Sequence, residues 1–237
     1  ALVANRGEAV IYCLIFVALT MIIVMGGVGG GIEKVCSVGM PALFVMLVIC
    51  IIRSCTLEGA SEGLKYMFVP GWALANGVIK EAPDFFSVVS TAGGQMFFSL
   101  SLGMGAMITY GSYLGKQEHL QRNALIVCGA DTLIAVMAGM AVMPACAAFG
   151  VEYGAGPGLL FASMQTVFAH MGSIGNFIGF IFYLLVLIAA LTSSISMLEL
   201  CTAYAVDKQI DKGLTPKRAK HTASVAALVF VLLMRAQ

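Results

Sequence analysis

The sequence predicts an all-α, polytopic membrane protein, and three observations carry that prediction. Of 237 residues, 60% are hydrophobic and only 11% charged, against about 45–50% and 25% in soluble domains. Apolar runs near the length of a bilayer-crossing helix, about 20 residues, recur along the whole chain. Mean hydropathy is +0.96, so the chain cannot cover itself with a water-soluble surface. A cytosolic enzyme is therefore excluded, and so is a disordered chain, which needs low hydrophobicity and high charge. The net charge of +1 argues against nucleic acid, whose affinity comes from neutralising many phosphates. Seven cysteines (Cys13, Cys36, Cys50, Cys55, Cys128, Cys146, Cys201) are odd in number, scattered and mostly inside apolar runs. Neither a zinc site nor a disulfide framework is expected from them.

Five spans follow in order at about 9–28, 35–55, 85–114, 123–149 and 174–206. The fifth is long enough, at roughly 50 Å, to tilt or project beyond the bilayer. A sixth, at 223–237, has twelve apolar residues (Ala223–Met234) before Arg235 and reads as partial. The start, Ala1–Glu8, has neither the charged opening nor the cleavage site of a signal peptide. The chain is expected to be the interior of a longer protein, one membrane domain truncated at both ends. Pro41 is placed near the start of the second span, where a helix tolerates it. Gly26, Gly27, Gly29, Gly30 and Gly31 lack the Lys-Ser/Thr of a phosphate loop, so they read as a tight interhelical turn.

Basic residues orient the spans. Lys34, Lys116, Arg122, Lys208, Lys212, Lys217, Arg218 and Lys220 fall on one side; Arg6, Arg53, Lys65 and Lys80 fall on the other. Positive charge collects in cytoplasmic loops, so the first span runs from outside to cytoplasm. The outer side then carries two long loops. Arg53–Asp84 contains Pro70, Trp72 and Pro83. The loop after the fourth span contains Gly154, Gly156, Pro157 and Gly158, then Leu160, Met164, Val167, Phe168 and Met171 at helical spacing. A loop helix is expected at about 157–171, either as an amphipathic lid or as a surface helix without a gating role.

The third span is unusual. Ser99, Ser101, Gly103 and Gly105 cluster at its centre. Glycine weakens a helix and short hydroxyls offer its backbone substitute hydrogen bonds. A helix broken at Gln95–Gly105 would present backbone groups to an ion and a zwitterion, because non-helical backbone at membrane depth survives only beside protein or a watery cavity. The same small residues also suit close helix packing. Two carboxylates of the twelve, Asp131 and Glu199, lie inside spans. Such groups usually face a cavity, an ion or a partner. Asp131 reads as functional and Glu199 as a buried structural carboxylate. On the fifth span, Ala189, Thr192, Ser193 and Ser196 share a helix face. They are hard oxygen ligands of the type sodium prefers, or else hydroxyls bonded back to their own helix.

These motifs resemble a known family. Gly94–Tyr113, Gly-Gln-Met-Phe-Phe-Ser-Leu-Ser-Leu-Gly through Thr-Tyr-Gly-Ser-Tyr, closely resembles the sixth transmembrane helix of the neurotransmitter:sodium symporters. Leu191–Glu199 looks like their eighth helix, Gly156–Phe168 their fourth extracellular loop and Gly31–Leu57 their fifth helix. The resemblance runs along nearly the whole chain and implies a partial LeuT-type inverted-repeat fold, covering about helices four to nine of a bacterial sodium-dependent amino-acid transporter. It also implies roles. Ser99 and Asp131 would help hold a first sodium ion, while Ala189 (by its carbonyl), Thr192 and Ser193 would hold part of a second. Most members have asparagine at the Asp131 position, so an aspartate implies chloride independence. Phe98 would lie over the substrate as a lid; Ser101, Met104, Ser193 and Met197 would line its pocket together with Ser99. Met104 favours a large hydrophobic or aromatic amino acid. Gln95 would sit beneath the outer gate, with Tyr113 and Asp207 in the inner gate.

The expected function is thus symport of Na+ with a neutral L-amino acid across the plasma membrane of a bacterium. The remaining sodium ligands lie on a helix absent from this chain, so the isolated chain is expected to be inactive. Two other classes stand against this reading: an ion channel with Asp131 in its pore, and a non-transporting membrane interaction protein. An intramembrane enzyme is disfavoured, because His119, His170 and His221 lie at or outside span ends and no catalytic triad or carboxylate pair emerges. The oligomeric state is left open.

Overall fold

The computed structural model describes residues 6–69, 71–103, 105–115, 117–151 and 158–211. The sixth span, the basic run from Lys212 to Lys220, the Gly154–Pro157 turn, Pro70, Lys116 and Met104 lie outside the described residues. All regular structure among them is helical: α1 (Arg6–Met25), α2 (Glu33–Cys55), α3 (Ala60–Phe68), α4 (Trp72–Ala75), α5 (Phe85–Ser99), α6 (Ala106–Ser112), α7 (Leu120–Ala148), α8 (Met164–His170) and α9 (Ser173–Ile210). Among the described residues, four stretches are long and apolar enough to cross a membrane: Gly7–Met25, Val28–Cys55, Leu120–Ala148 and Ile174–Ile210. The glycine run between α1 and α2 forms a π-helical turn, Val28–Ile32, entered through Gly27. Pro41 lies inside α2 and not in its first turn. There its missing amide removes one backbone hydrogen bond.

The region 85–114 is two helices. Asp84 starts α5 as its N-cap, its carboxylate accepting the Phe86 amide at 3.2 Å. At 15 residues, α5 is about 22 Å long and too short to cross alone. It stops in a paired-bond turn: the Ser101 amide donates to the Phe98 carbonyl at 3.1 Å and the Leu102 amide to Phe97 at 3.0 Å. These are the two bonds of the Schellman motif, whose pivot is left-handed and usually glycine. Here the pivot is Ser101 with φ 55°, the one non-glycine with positive φ among the described residues. The same motif ends α7, where Gly150 and Val151 donate to Ala147 and Cys146 at 3.2 and 2.9 Å. At that end the pivot is Gly150 itself, with φ 61°. The interruption before α6 therefore begins at Leu100, later than the Gln95 edge expected from sequence. Gln95, Phe98 and Ser99 stand on the last turns of α5.

The chain divides into two compact units. One contains Ala42–Gly103 and Gly115–Val186. Its core joins Leu47 and Cys50 of α2, Ala141, Val142, Ala145 and Cys146 of α7, Met164, Val167 and Phe168 of α8, and Ile178 and Phe182 of α9. The apolar stripe of the loop helix is thus buried, and Leu160 and Met171 pack against the same core. Phe168 and Phe182 rings lie 5.4 Å apart, and Tyr183 donates to the Leu160 carbonyl at 3.2 Å. This helix is seated on the unit by its apolar face, with Gln165, Thr166, Ala169 and His170 exposed on the other. The other unit contains Ala1–Pro41, Met104–Leu114 and Leu187–Gln237. Its smaller core is Val24, Ile32 and Ile195, with Ile23, Val35, Leu191 and Leu198 against it. Thr20, 3% exposed, lies 2.9 Å from Ser194 Oγ and joins α1 to α9 by a hydrogen bond.

In the first unit, α3 crosses α7 closely because Gly63 has no side chain. A Cβ there would stand 2.5 Å from the Met143 carbonyl oxygen and 2.6 Å from Pro144 Cα, both unyielding backbone. Gly63→Val is expected to cost about 1–3 kcal/mol, read as a lower thermal midpoint of the purified complete transporter. Gly129→Ala, which meets nothing within 4 Å, should leave the midpoint unchanged or higher.

Candidate functional site

The residues singled out from sequence form three clusters, one in the first unit and two in the second. In the first, Ser99 closes α5 and donates from Oγ to Asp131 Oδ1 on α7 at 2.7 Å. Asp131 lies about 16 Å along α7, deep in a helix able to cross the bilayer. A carboxylate there is costly unless charge-assisted donors or a cation meet it. The Schellman turn at Ser101 follows immediately after this residue. Gln95 is exposed, and Phe98 is 67% exposed one position before the serine.

In the second unit, Thr192 Oγ1 donates to the Ala189 carbonyl at 3.0 Å. Ser196 Oγ donates to the Thr192 carbonyl at 3.3 Å. These hydroxyls bond back along their own helix, the bland alternative at the sequence level, yet the bonds also gather three oxygens on one face of α9. Ser193 is exposed beside them, and Met197 is 54% exposed a turn further on. Asp207 is exposed near the end of α9. The one ion pair among the described residues is Lys65 with Glu62, at 2.8 Å, so Asp207 makes no ion pair within them.

The third cluster was only partly foreseen. Tyr113 donates to Glu199 Oε1 at 2.9 Å, and Thr202 reaches Glu199 Oε2 at 3.4 Å. Glu199 is 2% exposed, a buried carboxylate with hydrogen-bond donors, as its structural reading required. One turn away, Tyr110 donates to Ser196 Oγ at 3.0 Å. Sequence reasoning gave Tyr110, Thr20 and Ser194 no role. A signal was present for Tyr110: Tyr110 and Tyr113 are three apart, and so are Ser196 and Glu199, which lets two facing helices meet at successive turns.

A family model described as the sodium:neurotransmitter symporter family matches residues 3–236. The chain belongs to that family. An uncharacterized sodium-dependent transporter of Haemophilus influenzae is 43% identical over 192 residues, 81% of this chain and 40% of that protein. One from Bacillus subtilis is 36% identical over 234 residues, 98% of this chain and 48% of its own length. The crystal structure of MhsT in complex with L-phenylalanine matches with a TM-score of 0.75 and 37% identity, over 96% of this chain and 49% of that one. The chain thus spans less than half the length of these relatives. As in MhsT, the fold is the helical LeuT type, and the chain is a multi-pass membrane protein.

The strained pivot at Ser101 gives a stability test. A left-handed conformation costs a non-glycine residue about 1–2 kcal/mol, most for a β-branched one. Ser101→Val is expected to be less stable than Ser101→Gly by about that amount, measured as the difference in thermal midpoint between the two variants. Equal midpoints would mean that residue 101 is not left-handed.

Proposed function

We propose that this chain is the ion- and substrate-handling part of a transporter that couples Na+ to uptake of a neutral, hydrophobic or aromatic L-amino acid, independently of chloride. The observation that carries the reading is the Ser99–Asp131 hydrogen bond of 2.7 Å at a helix end. Hydroxyl and carboxylate oxygens are hard ligands, and a fixed negative charge in a low-dielectric site attracts a monovalent cation strongly. The first sodium ion would lie on Ser99 and Asp131. The second would take the Ala189 carbonyl, Thr192 and Ser193, whose oxygens are neutral. By the family resemblance, the substrate residues would be Phe98, as the lid, and Ser99, Ser101, Met104, Ser193 and Met197. Gln95 and Phe98 would serve the outer gate, Tyr113 and Asp207 the inner one.

The substrate class is supported by MhsT, 37% identical, whose structure holds L-phenylalanine, and by the flexible methionine at position 104. The bacterial inner membrane is supported by the bacterial relatives. Mechanism follows as linkage: an ion on Ser99 beside the substrate raises substrate affinity, and substrate raises ion affinity by the same factor. One charge crossing 100 mV contributes about 2.3 kcal/mol to uptake. Chloride independence rests on Asp131, because a carboxylate supplies the charge that a neutral asparagine would leave to a bound anion.

The test is uptake of labelled phenylalanine into proteoliposomes of the complete transporter under an inward sodium gradient, with chloride or gluconate. Sodium-dependent uptake that ignores the anion is expected. Asp131→Asn should lower sodium affinity about ten-fold or more, the loss of a charge-assisted bond, and make transport chloride-sensitive. Uptake indifferent to sodium would sink the symport reading.

A further inference from the structure

We propose that Tyr110 is a positioning residue for sodium, its hydroxyl holding the turn of α9 that carries the second ion's oxygens. The proposal rests on the assignment of that ion to Ala189, Thr192 and Ser193. Tyr110 donates to Ser196 Oγ at 3.0 Å, which leaves the serine hydrogen for the Thr192 carbonyl at 3.3 Å. A mid-helix serine that bonds four residues back competes with the regular backbone bond and bends the helix. Held from outside by a phenol, that turn is fixed in place. The same turn carries the Thr192 hydroxyl and the Ala189 carbonyl, 3.0 Å apart. For both oxygens to face an ion, the threonine hydrogen must swing away while the backbone stays in place, and the Tyr110–Ser196–Thr192 chain supplies that fixed backbone.

The tyrosine comes from α6, the helix that follows the interruption after Ser99. Its ring is set edge-on to Tyr113, with centroids 6.3 Å apart at 80°, and Tyr113 is bonded to Glu199. Two bonds in matching register therefore clamp α6 to α9. Removing only the upper hydroxyl leaves the ring contact and the lower bond intact, so Tyr110→Phe isolates the proposed role. Through it, a displacement of α6 releases Ser196 and slackens the ion's turn.

The test is equilibrium binding of 22Na+ to the purified complete transporter, with thermal midpoints measured without sodium. Tyr110→Phe and Ser196→Ala should each raise the half-saturating sodium concentration about five-fold, the worth of one hydrogen bond. The double variant should go no further, and Ser196→Thr, which keeps a hydroxyl, should bind as wild type. Lower midpoints with unchanged sodium affinity would assign Tyr110 a structural role only and overturn the proposal. Unchanged sodium binding in Thr192→Ala would instead remove the ion from α9, and the proposal would fall with the assignment beneath it.

Discussion

The arrangement depends on one constraint: a carboxylate placed deep in a helix that can cross a bilayer must find donors or a cation. Asp131 finds Ser99. That partner is the last residue of α5, and α5 ends where the chain turns left-handed at Ser101. A continuous helix through 85–114 would hold its backbone amides and carbonyls in its own ladder. Interrupted, it brings a side-chain hydroxyl and a set of backbone groups to the depth of the charge. The strain of a serine in a position suited to glycine is small, on the order of 1 kcal/mol, beside the several kcal/mol that an unmet charge costs.

The rest of the first unit supports that arrangement. Gly63 lets α3 lie directly on the backbone of α7 near Pro144. The loop helix α8 is locked by Met164, Val167 and Phe168 against α7 and α9. In the second unit the polar chemistry is finer grained. Hydroxyls on α9 bond first to their own backbone, then across to Thr20 and Tyr110.

Much of this was legible in the sequence, and the reasons are physical. The long helices follow from apolar length, because hydrocarbon forces every backbone group into its own helix. The interruption followed from two glycines and two serines within seven residues, although its start was placed too early. Composition marks weak helix but does not say which residue turns left-handed, and a serine is an uncommon choice. The stripe Leu160 to Met171 announced a helix, yet its burial was not readable, since that depends on Ile178 and Phe182 of another element. Pro41 was read as near a helix start because the span was counted from Val35, whereas helical backbone already runs through Val28–Ile32 and from Glu33 onward. Glu199 was read as structural from its place near the end of a span, but its donor Tyr113 is 86 residues away, a separation no local pattern spans.

The central claim is that the Asp131 carboxylate takes the Ser99 hydrogen bond and receives sodium. Isotope-edited infrared difference spectra of the complete transporter, with 13C-labelled aspartate, test it directly. Adding sodium in place of choline should shift an aspartate carboxylate stretch, and Asp131→Asn should abolish that difference band. A sodium-induced band that persists unchanged in Asp131→Asn would contradict the account, as would the absence of any carboxylate change in the wild type.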